Sequence, residues 1–172
     1  MNDLSPAPHL TEDVLFGEIA VRIEGQERVT VSGANIPTAV LERDPSCEVD
    51  PQIAIGTRDA AHLTLTLDGA PVALRPGKGR FRRSTYRVRT SHQGVTHVLV
   101  PDSIPSSRFT RDKVHLADFS NDGDEIVIVE WREGASPEPV DAALGYLLAA
   151  AFGTGGSPAW MMLVDAVSAA LP

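Results

Sequence analysis

VDAALGYLLAAAF, residues 140–152, is apolar on almost every side and carries a single charge, Asp141, in its first turn. A helix that is hydrophobic all round has to be enclosed, by protein or by lipid. At 1.5 Å per residue this one spans about 20 Å, short of the ~30 Å hydrocarbon core of a bilayer. Enclosure by protein follows, and the chain upstream must supply the wall. On this helix Val140, Ala143, Leu144, Leu147, Leu148, Ala151 and Phe152 form the large face. Ala142, Gly145 and Ala149 form a small one, where another backbone can approach closely. Tyr146 needs a hydrogen-bond partner once buried.

The signals around the helix set its limits. Ser136 reads as its cap, with Pro137 at the first position, and Gly153 stops it. Ser157 and Pro158 repeat the start signal, and a second, one-sided helix is expected over 158–171. Trp160, Leu163, Val164 and Val167 would line its apolar side, a candidate interaction seam for a homo-oligomer or a larger complex.

Upstream the pattern changes to short runs of period two. Ile19, Val21 and Ile23 alternate with polar neighbours, and Val29 and Val31 follow after a turn at Gly25-Gln26. Ala39-Val40-Leu41 makes a third strand, and Ile53 and Ile55 begin a short one ending at Gly56. Leu63, Leu65 and Leu67 share a face, Asp68-Gly69 is a preferred dipeptide for a tight primed turn, and Val72 and Leu74 resume the apolar side. STYRVRT sets Tyr86 and Val88 against Arg87 and Arg89, and Val95, His97 and Leu99 form the next apolar face. Val114 and Leu116 share a side of their strand, and the continuous run in EIVIVEW suits a strand covered on both faces. About nine to ten short strands at regular spacing mark a mostly β, antiparallel barrel or β-roll enclosing the apolar helix. Residues 1–13 read as a flexible tail and 14–172 as one domain.

Many short antiparallel strands followed by a very apolar C-terminal helix resemble the tubby-like C-terminal superfamily, which includes the plant LURP-one-related proteins and the phospholipid scramblases. The meander between His62 and Trp131 and the helix over 140–152 carry the likeness, one of element order rather than of a motif. The resemblance implies a closed barrel with a helix through its centre. It also implies binding or scaffolding more often than catalysis, with phosphoinositide headgroups held by basic residues in some members. No binding residue transfers position by position.

Composition narrows the function. The chain of 172 residues is 42% hydrophobic and 22% charged, enough for one sizeable core. Cys47 is alone, which argues against an intrachain disulfide and a thiolate cluster. No apolar leader opens the sequence, so a cytoplasmic protein is expected, peripheral to a membrane if it meets one, with no transmembrane span. The preponderance of Arg over Lys, with many Ala, hints at a GC-rich bacterial genome. The formal charge of −8 argues against wholesale nucleic-acid binding, but it conceals a pattern. Residues 75–113 hold ten basic and two acidic side chains, whereas the segments on either side each carry a net −8.

That block includes RPGKGRFRR and is the clearest candidate site. Arg75, Lys78, Arg80, Arg82, Arg83, Arg87 and Arg89 offer guanidinium forks beside a Gly-rich loop whose N–H groups can meet phosphate. Anionic lipid headgroups or an acidic protein are the partners this chemistry fits, the alternative being a solvated outer face that balances the acidic segments on either side. Phe81 and Tyr86 are too few for a nucleic-acid stacking platform. The five histidines sit on separate segments with no i, i+4 pair, so no metal site is read. DFSNDGDE lacks the terminal Glu of a calcium loop, and GTGG follows a helix rather than a strand. No cofactor motif and no catalytic residue stands out. An enzyme would require a pocket that groups a carboxylate with one of the histidines.

Overall fold

The structure, a computed structural model, describes residues 5–80, 82–103, 105–121 and 127–155. Its strands are β1 (His9–Asp13), β2 (Gly17–Glu24), β3 (Arg28–Gly33), β4 (Ile36–Arg43), β5 (Leu63–Leu67), β6 (Ala70–Pro76), β7 (Val88–His92), β8 (Val95–Pro101), β9 (Ser107–Arg111), β10 (Val114–Asn121) and β11 (Val127–Trp131). They pair in chain order as one antiparallel meander. It curls into a nearly closed barrel around helix α1 (Pro139–Phe152). Among the described residues no helix is long and apolar enough to cross a membrane. The helix expected over 158–171, with Trp160, Leu163, Val164 and Val167, lies outside the described residues.

The inward positions follow the alternation. Val21, Val31, Leu41, Leu65, Leu99 and Phe119 are buried against α1, on which every residue from Asp141 to Ala151 is buried. Leu144, Leu147 and Leu148 are fully enclosed, each worth roughly 1.5–3 kcal/mol relative to exposure. The small face of α1 meets side chains rather than backbone. At Gly145 an added Cβ would fall 2.5 Å from Phe119 Cζ and 3.3 Å from Phe109 Cε1. The strands opposite that face supply aromatic rings, and the missing side chain makes room for them.

Several local expectations are corrected. The stretch read as a tail contains β1, whose last residue, Asp13, is buried. Ile53 and Ile55 lie in consecutive turns, not a strand. Ile55 N–H donates to Ala151 O at 3.1 Å, so this segment plugs the C-terminal end of α1. Residues Arg83–Tyr86 form a 3₁₀ turn, which puts Tyr86 and Arg87 ahead of the strand. A register shift between His115 and Ala117 buries both Leu116 and Ala117 and leaves Val114 exposed. β11 is covered on one side only, and Ile128 faces solvent. The helix starts two residues later than its cap signal suggests. Glu138 is the cap, and its backbone N–H donates to Asp141 Oδ2 at 2.7 Å in a capping box. A carboxylate at that position also favours the positive end of the helix dipole.

β1 and β11 lie side by side without a hydrogen-bonded ladder, and Asp13 spans the seam. Its carboxylate accepts from Trp131 Nε1 at 2.9 Å on β11, from Tyr146 Oη at 2.7 Å on α1, and from the N–H groups of Leu15 and Phe16. This is the partner Tyr146 requires. Burial, and then Asp13 as acceptor and as a nearby charge, push the Tyr146 phenol well above its ordinary 10.0. The folded state therefore holds a proton that the unfolded chain releases above about pH 10. The stabilisation is fully present below that pH and drains as pH rises towards the folded value. Equilibrium unfolding between pH 9 and 11.5 should show wild type losing about 1.4 kcal/mol per pH unit more than Tyr146→Phe once above pH 10. Parallel pH profiles would show that the phenol ionises equally in both states.

Candidate functional site

Seven cations of the basic block gather on the β6–β7 hairpin and its connection. Arg75 on β6 sits directly opposite Arg89 on β7, and both are exposed on the outer face. Like charges placed opposite one another disfavour the sheet. Beyond them the connection forms an ordered lobe. Gly77 N–H donates to Arg87 O at 2.7 Å and Gly79 N–H to Thr85 O at 2.9 Å. The Thr85 hydroxyl accepts from Arg80 N–H and lies within bonding distance of the Arg80 and Arg82 carbonyls. Lys78, Arg80, Arg82 and Arg87 are exposed on this lobe. Arg83 is half-buried, its Nη1 3.4 Å from Asp102 O. Arg87 Nε donates to Ser84 O at 2.9 Å.

Among the described residues no carboxylate lies within ion-pair distance of any of these seven side chains. The other arginines of the block behave differently: Arg108 pairs with Asp102, and Arg111 turns inward to Asp141. The lobe thus separates from the rest of the +8 segment. The two strands and the lobe between them carry all seven cations of the basic set, although the predicted strand placement of Arg87 beside Arg89 does not stand.

Next to the lobe, at the C-terminal end of α1, the barrel opens into a cleft of about 740 Å³. One wall is the loop after β4. Arg43 shapes it by donating to the carbonyls of Gln26, Asp44 and Cys47, and Gln26 Nε2 donates to Asp50 O and Ile53 O. The other wall is the lobe, through Lys78, Gly79 and Tyr86, and the base is Phe152, Gly153 and Thr154. Arg58 lies across the cleft with its guanidinium 5.1 Å from the Tyr86 ring and 5.5 Å from the Phe152 ring. Its Nη1 donates to Gly77 O and Tyr86 O, tying the lobe to the barrel. Burial lowers the Arg58 pKa from its ordinary value, against the charges of Tyr86 and Asp50, which raise it.

A second cluster has its carboxylate and imidazole buried. His97 Nε2 is 2.6 Å from Asp141 Oδ1, both residues 1% exposed, and Arg111 Nη1 donates to Asp141 Oδ2. His97 stacks on Phe109 at 5.5 Å. Directly across the β7–β8 pair, Thr90 Oγ1 and His97 Nδ1 are buried without a protein partner among the described residues. A carboxylate therefore does meet a histidine, but none of the three residues lines the cleft. The cluster fixes the first turn of α1 to β8 and β9. Among the described residues no three of His, Cys, Asp or Glu come together in a metal-binding group.

Sequence reading missed both the cleft and this cluster. Arg58 stands outside the basic block, and only an isolated positive charge before a hairpin could have drawn notice. Asp141 was visible as the one charge in an apolar helix, yet its partners come from strands 30 and 44 residues away.

The class these features define is an antiparallel meander barrel filled by helix α1, with a cleft and a cationic lobe at one end. Compared with models of protein families, with curated proteins and with solved structures, the chain has no match.

Proposed function

We propose that this protein is a non-enzymatic binding module of the tubby-like kind, which presents the β6–β7 lobe to anionic lipid headgroups at a membrane surface. One observation carries the reading. Seven cations gather on one hairpin with no carboxylate in reach among the described residues, and two of them face each other across a strand pair. A fold gains nothing from that arrangement by itself, since like charges repel across a sheet. An external anion relieves the repulsion and satisfies the guanidinium forks. The order of elements, a meander closed on a C-terminal helix, supports the likeness to that superfamily. The net −8 of the whole chain keeps the remaining surface from adhering, so contact is restricted to the lobe.

Sedimentation with phosphatidylserine vesicles tests this. Wild type should co-sediment at low salt and be released as ionic strength rises. Arg80→Glu with Arg82→Glu replaces two exposed cations whose side chains make no fold contact among the described residues. At about 1 kcal/mol for each basic side chain near an anionic surface, the double reversal should weaken retention by about a hundredfold or more. Retention that ignores salt, or that survives the double reversal, would remove the reading. So would the absence of any retention at low salt.

A further inference from the structure

We infer that the cleft at the end of α1 is a second binding site, for a small zwitterion with an apolar body. Its charges are segregated by wall. Glu48 and Asp50 stand on the loop after β4, whereas Lys78 belongs to the lobe and the Arg58 guanidinium is held against it. No ion pair joins the two walls among the described residues, although each wall offers what the other lacks. Between them lie Tyr86, Phe152 and Ile53, which give the middle of the cleft an apolar surface.

The site is built rather than incidental. The acidic wall is pinned by Arg43, Gln26 and the Ile55–Ala151 bond, and the basic wall by the Arg58 bonds to Gly77 and Tyr86. Gly79 has φ +64, and a Cβ there would come 3.0 Å from Tyr86 Cε1 and 3.1 Å from Arg58 Nε, so the lobe closes tightly on that pair. Arg58 spends only Nη1 on the protein. Its Nε and Nη2 donors have no acceptor among the described residues, and burial already disfavours its charge. At the base, Thr154 Oγ1 is buried and has no partner among the described residues. A desolvated cation and an orphan hydroxyl both call for a ligand atom. The anionic end of a ligand would answer Arg58 and Lys78, and an ammonium would answer Glu48 and Asp50. A volume of about 740 Å³ lies within the usual ligand range of about 300–1,000 Å³, well above a single amino acid. Short peptides and zwitterionic phospholipids share this chemistry.

Amide-shift titration of the full chain separates the sources. The probes are L-leucyl-L-phenylalanine, its N-acetyl and C-terminal amide derivatives, and monomeric dihexanoyl phosphatidylethanolamine, each to about 10 mM, which reveals millimolar affinity. At least one of the two zwitterions should shift residues 48–58, 77–79 and 152–154 and saturate; which one does identifies the source. For the dipeptide, loss of either terminal charge should weaken binding by about tenfold. For the lipid, the matching comparison is dihexanoyl phosphatidic acid, which lacks the ammonium. Lys78→Gln should weaken the zwitterion while leaving an ammonium-only ligand unchanged, and Glu48→Gln should weaken the zwitterion while leaving an anion-only ligand unchanged. Both side chains are exposed, so neither variant threatens folding. No saturable shift with either zwitterion, shifts elsewhere, or equal affinity for the singly charged forms would overturn the proposal. The lobe reading stands apart from this result: Arg80→Glu with Arg82→Glu abolishes vesicle retention without touching the dipeptide, and Glu48→Gln leaves vesicle retention intact.

Discussion

Asp141→Ala is expected to destabilise the protein by roughly 3–5 kcal/mol, the range for breaking a buried ion pair from one side. The carboxylate serves three donors: His97, Arg111 and the Glu138 N–H. Arg111 keeps 24% of its side-chain exposure and can turn to water when its partner goes. His97 has no such exit, and with Nδ1 already unpartnered it would be left with no hydrogen bond at all. Half of the capping box, the bond from Glu138 N–H, is lost in the same step, while Glu138 remains as the cap. Since domains of this size are stable by only about 5–15 kcal/mol, the variant stands near its unfolding threshold. Denaturant titration gives the change directly, and Asp141→Asn, which keeps one acceptor and the shape, should lose less. A loss below about 1 kcal/mol for Asp141→Ala would mean that the buried cluster does not anchor the helix.

Gly145→Val should cost roughly 1–3 kcal/mol, although almost any residue is a better helix former than Gly. The first atom added meets the Phe119 ring at 2.5 Å. That ring cannot swing aside. It is fully buried and packed edge-on against Phe109, Trp131 and Tyr146, with centroids 5.5, 6.1 and 5.5 Å away. The diagnostic is the double variant with Phe119→Leu, which trades the ring for a shorter side chain. Clash and cavity then offset each other, and the double should lose less than the two singles added together. Strict additivity, or a stabilising Gly145→Val, would place the ring somewhere other than over the glycine.

The architecture was legible because it rests on periodicity. A two-residue alternation repeated along residues 17–131, then an apolar run too short for a bilayer, leaves few solutions other than a β wall around a helix. What escaped was set by contacts rather than by pattern. Ile53 and Ile55 look like a strand because they alternate, yet Ile55 is buried by capping α1 and Ile53 is only half-buried beside it, and turns achieve that as well as a strand does. His9–Asp13 looks like a tail because Leu10 is its only apolar residue. It pairs with β2, and Asp13 is inside for its hydrogen bonds, not for its hydrophobicity. The basic lobe could be read since its members are consecutive. The cleft and the His97–Asp141–Arg111 cluster could not, because each joins residues far apart along the chain whose only common property is where the barrel puts them.

The helix that fills the barrel comes after all eleven strands in chain order. Neighbouring hairpins of the meander can close as soon as they are made, since each contact is local. Until residues 139–152 arrive, however, the curled sheet has a greasy lining and nothing to press it against. A nascent chain halted anywhere before Pro139 is thus a trough of exposed Val, Ile and Leu, the sort of surface that holdase chaperones retain and that self-associates when they are scarce. Completion of the domain is a single late insertion, and ribosome-stalled chains should become protease-resistant abruptly once α1 clears the exit tunnel, not strand by strand.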